Sequence, residues 1–297
     1  MPSPANYANH SEWSDPKGFA DRLSGLPTSP RALADALEEF VIHHAAARSI
    51  GFGVPDYAES DRGARSVARL LGTAIERDGR PLTAHRDLPD YLYGTCHDFA
   101  LLAASVLRSD GTEARLRVGF VDYFLKDRWE DHWLCEYRVG DEWRLLDAQL
   151  GRRARDGHGI DFDVADVPRR RFRAGAEAWK AIRAGAIDPA RCGVSFAGIS
   201  GAWFAASNVL KDLAALTAIE VLPWDYWGPA RAFSQDRTVS AEIAARFDEL
   251  ADALTPPPDT LEEATSVSES FPWAKPSDRV LSFAQGAFHE QAIRPQA

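Results

Sequence analysis

Tyr91-Leu92-Tyr93-Gly94-Thr95-Cys96-His97-Asp98-Phe99-Ala100 is the stretch on which the reading of the fold turns. From Cys96 onward Phe99, Leu101, Leu102, Val106 and Leu107 recur at helical spacing, and Gly111 ends the run just past Arg108. Thr95 is a small hydroxyl residue in the N-cap position, which puts Cys96 in the first turn of that helix. First-turn N–H groups and the helix dipole favour an anion there, so a thiol at this place is biased toward thiolate and its backbone can receive an oxyanion.

Three strand-like runs follow: Ala114 to Val121, His132 to Val139 and Trp143 to Ala148. They are short, rich in β-branched and aromatic residues, and separated by polar or Gly-containing turns. A helix leading into an antiparallel meander predicts an α+β fold rather than a doubly wound one. With Gly140-Asp141 as a two-residue hairpin turn, Val139 pairs with Glu142 and partner numbers sum to 281. His132 and Asp147 then become diagonal neighbours on one face, whereas a three-residue loop separates them to opposite faces. In that register Asp147 holds the imidazole of His132, and His132 takes the proton of Cys96.

Working outward, residues 1–30 are rich in Pro, Ser and Asn and read as a loosely ordered lead-in. Helical patterns are expected over 31–48 and 61–78, and the polar stretch 80–90 delivers the chain to Tyr91. Arg169-Arg170-Arg171 with Arg173 reads as a solvated run paired with nearby carboxylates such as Asp161, Asp163 and Asp166. A buried helix is expected over 203–219, an aromatic loop over Leu222 to Gly228, and a last helix over 240–254, with a peripheral tail at 255–297. The expected organisation is one domain over 31–254, its core at about 60–150 and a helical extension at 170–254.

The chain has 297 residues, a formal charge of −10 and a pI near 5.3. So acidic a surface disfavours nucleic acid as a partner. No run of about 18 apolar residues predicts a membrane span, and the first 18 residues lack the apolar segment of a secretion signal, so a cytoplasmic location is expected. Cys96, Cys135 and Cys192 are odd in number and widely spaced, which suggests free thiols. No CxxC or HxxxH spacing supports a metal site, and no cofactor is expected.

Gly94 to Ala100, Arg108 to Arg115, Gly119-Phe120, Asp131-His132-Trp133 and Trp143 to Asp147 together resemble the bacterial transglutaminase-like core, over roughly residues 60–150. Where many relatives have Pro-Thr after the aspartate, this chain has Ala148-Gln149. The resemblance implies a papain-like α+β fold, its nucleophile helix packed on a small antiparallel sheet, and the helical patterns outside the core add helices at both ends. It implies Cys96 as nucleophile with His132 and Asp147, and it leaves Tyr93 as an oxyanion candidate through its hydroxyl. His97, Trp129, Trp133 and Trp224 are candidate substrate-binding residues. The family includes amide hydrolases, peptidases, crosslinkers, acyl transferases and inactive binding modules. The expected substrate is a small molecule or peptide carrying an amide, ester or thioester. Hydrolysis through an acyl-thioester is the first expectation, transfer to an amine the second, and a non-catalytic module the third; the oligomeric state stays open.

Overall fold

The computed structural model describes residues 4–49, 55–284 and 286–295. They form a mixed α+β structure of two compact units. One comprises Met1–Leu116, Leu134–Val167 and Arg294–Ala297, the other Arg117–Trp133 and Pro168–Ile293. The strands are β1 (Val41–His43), β2 (Leu92–Gly94), β3 (Ala114–Val121), β4 (Trp129–Val139), β5 (Glu142–Leu146), β6 (Phe172–Ala174), β7 (Cys192–Val194), β8 (Ile199–Ser200), β9 (Asp225–Tyr226), β10 (Arg279–Ala284) and β11 (Ala287–Ala292).

In the first unit the Cys96–Ser109 helix is the central element: every residue from Cys96 to Arg108 is buried. It packs beside the helices Pro30–Leu37 and Val67–Arg77, whose apolar stripes (Leu33, Ala34 and Leu37; Val67, Leu70, Leu71 and Ala74) are buried. Ser66 caps the second of these by accepting from the Arg69 N–H at 3.3 Å. The helix expected over 31–48 stops at Leu37. The chain then extends into β1, which pairs in parallel with β2 in the register Val41↔Leu92, Ile42↔Tyr93 and His43↔Gly94, before His44–Ser49 turns helical. The helix expected over 61–78 is likewise two pieces, Ala58–Arg62 and Val67–Arg77.

Residues 4–30 of the expected lead-in pack into the core. Tyr7, Trp13, Leu23 and Leu26 are buried, the Tyr7 carbonyl accepts from the Ala114 N–H at 3.1 Å, and the Trp13 carbonyl from the Val67 N–H at 2.8 Å. Apolar residues set singly in a polar stretch have no period to announce them, yet each fills a place in the core. β4 turns back into β5 in the register expected for a two-residue turn: Cys135↔Leu146 through Val139↔Glu142, partner numbers summing to 281. β5 ends at Leu146, two residues short of its expected course, because the Asp147 N–H donates instead to the Val164 carbonyl at 2.9 Å.

In the second unit β6 pairs with Gly119–Val121 of β3, β7 pairs with Trp129 and Glu130 of β4 and with β8, and β9, β10 and β11 form a separate sheet. Its central helix, Ala202–Leu216, is buried from Trp203 to Leu216. The Gly175–Arg183 helix lies against it so closely that a Cβ on Gly175 would meet the Asn208 carbonyl oxygen at 2.5 Å. The segment expected as a peripheral tail is built in: β10 pairs with β9 (Leu281↔Tyr226, Ser282↔Asp225) and with β11, and Val280, Leu281 and Ile293 are buried. Of the arginine run, Arg171 pairs with Asp122 and Arg173 lies over the Trp129 ring at 5.0 Å, so these two partners are distant in sequence rather than local. No helix among the described residues is long and apolar enough to cross a membrane.

Candidate functional site

Cys96 is the first residue of its helix and is 7% exposed, whereas Cys135 and Cys192 are both 0% exposed. Thr95 precedes it in extended backbone. The Asp98 carboxylate folds back to take the Thr95 N–H at 2.7 Å and the Thr95 hydroxyl at 3.1 Å, and this locks the turn that presents the thiol. At Gly94 a Cβ would crowd the turn, sitting 3.1 Å from both the Asp98 carboxylate and the Val41 side chain.

The strand that delivers Cys96 is anchored by a buried ion pair. Asp61 is 2% exposed, meets Arg77 through two bonds of 2.6 Å, and also accepts from the Tyr93 N–H at 3.0 Å. Arg77 in turn donates to the Tyr91 carbonyl at 2.6 Å. The bidentate pair and its two backbone bonds fix β2 where the helix begins. Neither residue stands out in the sequence, since the pairing crosses two short helices.

Tyr93 spends its hydroxyl proton on the Leu88 carbonyl at 2.6 Å, and burial pushes its pKa up to about 12. Its one donor is thus committed to the backbone, contrary to the expected oxyanion role of that hydroxyl. His97 is fully buried with Nδ1 3.2 Å from Asp98 Oδ1. Although neighbours on a helix usually diverge, here they meet, and His97 lines no open surface. Asp147 is also fully buried, and its Oδ1 accepts from the Gln149 N–H at 3.1 Å.

Cys96 and Asp147 belong to the first unit; His132, Trp129, Trp133 and Trp224 belong to the second. His132 lies on β4 and is 2% exposed. Its ring is flanked by Phe124, with centroids 5.1 Å apart and planes at 76°, and by Tyr123 at 6.2 Å and 84°. Both come from the connection between β3 and β4, which read from sequence as a turn; the run Tyr123-Phe124-Leu125 was the available signal. Edge-to-face packing of this kind restricts an imidazole to a narrow range of orientations. Asp131, the preceding residue in the chain, is half-buried and accepts from Asn208 Nδ2 at 2.6 Å, and desolvation of its charge raises its pKa. Trp133 is 1% exposed, Trp129 is half-buried under Arg173, and Trp224 is half-buried, its carbonyl accepting from the Phe283 N–H at 3.2 Å.

Burial also raises the Cys192 thiol pKa to about 12, which leaves it protonated at neutral pH. No group of three His, Cys, Asp or Glu side chains suited to a metal ion occurs among the described residues.

A search of curated proteins and a search of solved structures each return no match. Among protein-family models, that of the transglutaminase-like superfamily matches residues 17–148, a span that contains Cys96, His132 and Asp147.

Proposed function

We infer, from the premise that residues 17–148 are a transglutaminase-like domain, that the protein carries out thiol-dependent acyl chemistry with Cys96 as nucleophile, His132 as general base and Asp147 as its orienting carboxylate. The superfamily generally performs cysteine-based acyl chemistry. In the reading proposed here, His132 takes the proton of Cys96 and the thiolate attacks the carbonyl carbon of an amide or peptide bond. Backbone N–H at the helix start holds the oxyanion, and His132 returns the proton to the leaving amine. Water, deprotonated by His132, then releases the acyl group from the thioester.

The observation that carries this reading is the placement of Cys96. It is a thiol at the first position of a buried helix whose turn is locked by Asp98, and the most exposed of three otherwise sealed cysteines. The 281 register supports the rest. In β4 the even-numbered side chains, His132 included, share a face with the odd-numbered ones of β5, and Asp147 is the next odd residue beyond its end. Transfer to an amine in place of water is the second reading, because the same acyl-thioester serves both.

The test is limited iodoacetamide labelling of the native protein at neutral pH with peptide mapping, followed over pH in the wild type and in His132→Ala. Cys96 is expected to label well before Cys135 and Cys192, with an apparent pKa below the ordinary thiol value of about 8.5, and His132→Ala should raise it. Faster labelling of another cysteine removes the nucleophile from the proposal. An unchanged pH profile in His132→Ala removes the base and favours a non-catalytic binding module.

A further inference from the structure

Residues 122–129, the connection from β3 together with the first residue of β4, contribute to two surroundings within one unit. Tyr123 and Phe124 contact the ring of His132. Asp122, Asp127, Arg128 and Trp129 line a cavity of about 400 Å³, which Ile187 and Arg191 help to complete. That volume lies in the range of small-molecule sites.

Sorting the polar contacts around this cavity leaves two charged side chains with none among the described residues. Asp122 is taken by Arg171. Arg128 donates to Glu130 at 3.2 Å and to the Ala190 carbonyl at 3.4 Å. Asp188, also on the lining, accepts from the Ala190 N–H at 2.9 Å. The side chains of Asp127 and Arg191 make no hydrogen bond or ion pair among the described residues, although they are of opposite sign and share the same cavity. Asp127 also holds a left-handed backbone, φ 59°, unusual for a residue with a side chain. The apolar part of the wall is the half-buried Trp129 indole, with Arg173 over one face, and the buried Ile187.

An unmatched carboxylate, an unmatched guanidinium and an aromatic-aliphatic wall complement a molecule that carries an ammonium, a carboxylate and a short apolar body. A simple anion would satisfy Arg191 and leave Asp127 unmatched, and a simple cation would do the reverse. The guanidinium fork suits a carboxylate in two-point contact, while a carboxylate accepts an ammonium without geometric demand. We propose that this cavity is a binding site for a free α-amino acid, its ammonium on Asp127, its carboxylate on Arg191 and its side chain against Trp129 and Ile187. The site is separate from the acyl chemistry inferred above and stands whether or not Cys96 turns over.

The experiment uses the full chain with Cys96→Ala, so that no reaction can mask or mimic binding. Calorimetric titration is made with L-leucine and L-lysine, and with leucinamide and N-acetylleucine as single-charge controls. Saturable binding of at least one zwitterion is expected, with each control weaker by about tenfold or more, since each leaves one protein charge unmatched. Asp127→Asn and Arg191→Gln, both at exposed positions, should each weaken the zwitterion by about tenfold or more with unchanged thermal melting. Lys126→Gln, on the same connection but off the lining, should leave the affinity as it is. No saturable heat with either amino acid, equal affinity for zwitterion and controls, or full affinity retained in Asp127→Asn and Arg191→Gln would each overturn the proposal. None of these outcomes bears on the labelling of Cys96, so the two readings fail separately.

Discussion

The helices Cys96–Ser109 and Ala202–Leu216 are both buried along almost their whole length, yet they differ in where their proposed functional and charge-pairing groups sit. The first has its functional groups at the N-terminal end: Cys96, and the Asp98 carboxylate that caps the turn. The second starts at Gly201, φ 129°, with no side-chain cap, and holds its polar groups mid-helix as Asn208, Lys211 and Asp212. A helix end offers N–H groups to an anion, whereas a helix middle has none to spare. Each mid-helix group must therefore find a partner elsewhere. Asp212 takes Arg117 Nε and Nη2 at 3.0 and 2.9 Å and the Val118 N–H at 2.8 Å. Asn208 donates to Asp131. Lys211 donates to the Pro223 carbonyl at 2.5 Å and lies over the rings of Tyr226 and Phe204, at 4.8 and 5.4 Å. The comparison teaches that a buried charge already satisfied by the fold has a structural task, while a buried reactive group set on a helix end has its backbone donors directed toward whatever binds there.

The largest consequence falls on the mid-helix pair. Asp212→Ala leaves the Arg117 guanidinium buried without its carboxylate, and a loss of about 3–5 kcal/mol is expected in urea denaturation. Replacing both partners by apolar residues, Arg117→Met with Asp212→Leu, should recover much of it. A loss below about 1 kcal/mol for Asp212→Ala would mean that water reaches the pair and that the contrast between helix middle and helix end is overstated.

Lys211 gives a pH-dependent form of the same contrast. Burial lowers its pKa from 10.5 to about 8, opposed by the charges of Asp131 and Asp225. Between those values the unfolded chain holds a proton that the folded chain has released, so this group makes stability rise with pH across that window; below about 8 the penalty is constant. One proton corresponds to at most about 1.4 kcal/mol per pH unit. Tyr226, also raised by burial, and Cys192, raised to about 12, act in the opposite direction at alkaline pH. The informative quantity is accordingly the difference between wild type and Lys211→Met. Denaturation midpoints from pH 7.5 to 10 (roughly the window between the two lysine values) should show a less positive slope in the variant. Equal slopes would place Lys211 in contact with solvent.

What the sequence disclosed follows the same division between local and long-range signals. The Cys96 helix announces itself by period and by Gly111, which adopts φ 80°. β3 runs over the residues expected, and Gly140-Asp141 set the hairpin register. These signals are local. β1 was hidden inside a helical pattern because its stabilisation comes from β2, some fifty residues on. The strands at the C-terminal end were missed because β9 has only two residues and β10 reads as strand only beside it. Cys96, His132 and Asp147 stood out by type and order, whereas Asp61, Arg77, Tyr123 and Phe124 act through contacts that no spacing reveals. The cavity lined by Asp127 and Arg191 draws on two separate loops and was equally invisible.

At the helix end the expected effects are smaller. Asp98→Ala removes the acceptor for the Thr95 N–H and hydroxyl and for His97 Nδ1, and a loss of about 1–2 kcal/mol is expected, the upper range for a cap because the site is buried. Asp98→Asn keeps an acceptor and should fall between. If the cap positions the thiol, Asp98→Ala also slows Cys96 alkylation relative to that of the unfolded chain. A stability loss with unchanged alkylation would separate the cap from the chemistry.

The smallest effect on stability belongs to the residue with the largest proposed role. Cys96→Ala removes a single sulfur from a site that is 7% exposed. The volume lost is small, and the transfer and cavity contributions together should stay near or below about 1 kcal/mol. Its consequence for acyl chemistry should instead be near complete, and His132→Ala should come close to it, since members of one catalytic unit are not additive. Asp147→Asn should cost less in activity, because the nucleophile and base remain while the orientation of the imidazole is weakened. Asp147 is fully buried and accepts the Gln149 N–H, however, so Asp147→Asn should cost more in stability than Cys96→Ala. The measurement pairs urea denaturation of the three variants with detection, by intact mass, of an acyl adduct on the wild type after incubation with cell metabolites. Opposite rank orders in stability and in adduct formation are the signature of a group placed at a helix end for reaction. A Cys96→Ala variant that loses several kcal/mol while the wild type forms no adduct would instead assign Cys96 to the same class as Asp212, a group held for the fold alone.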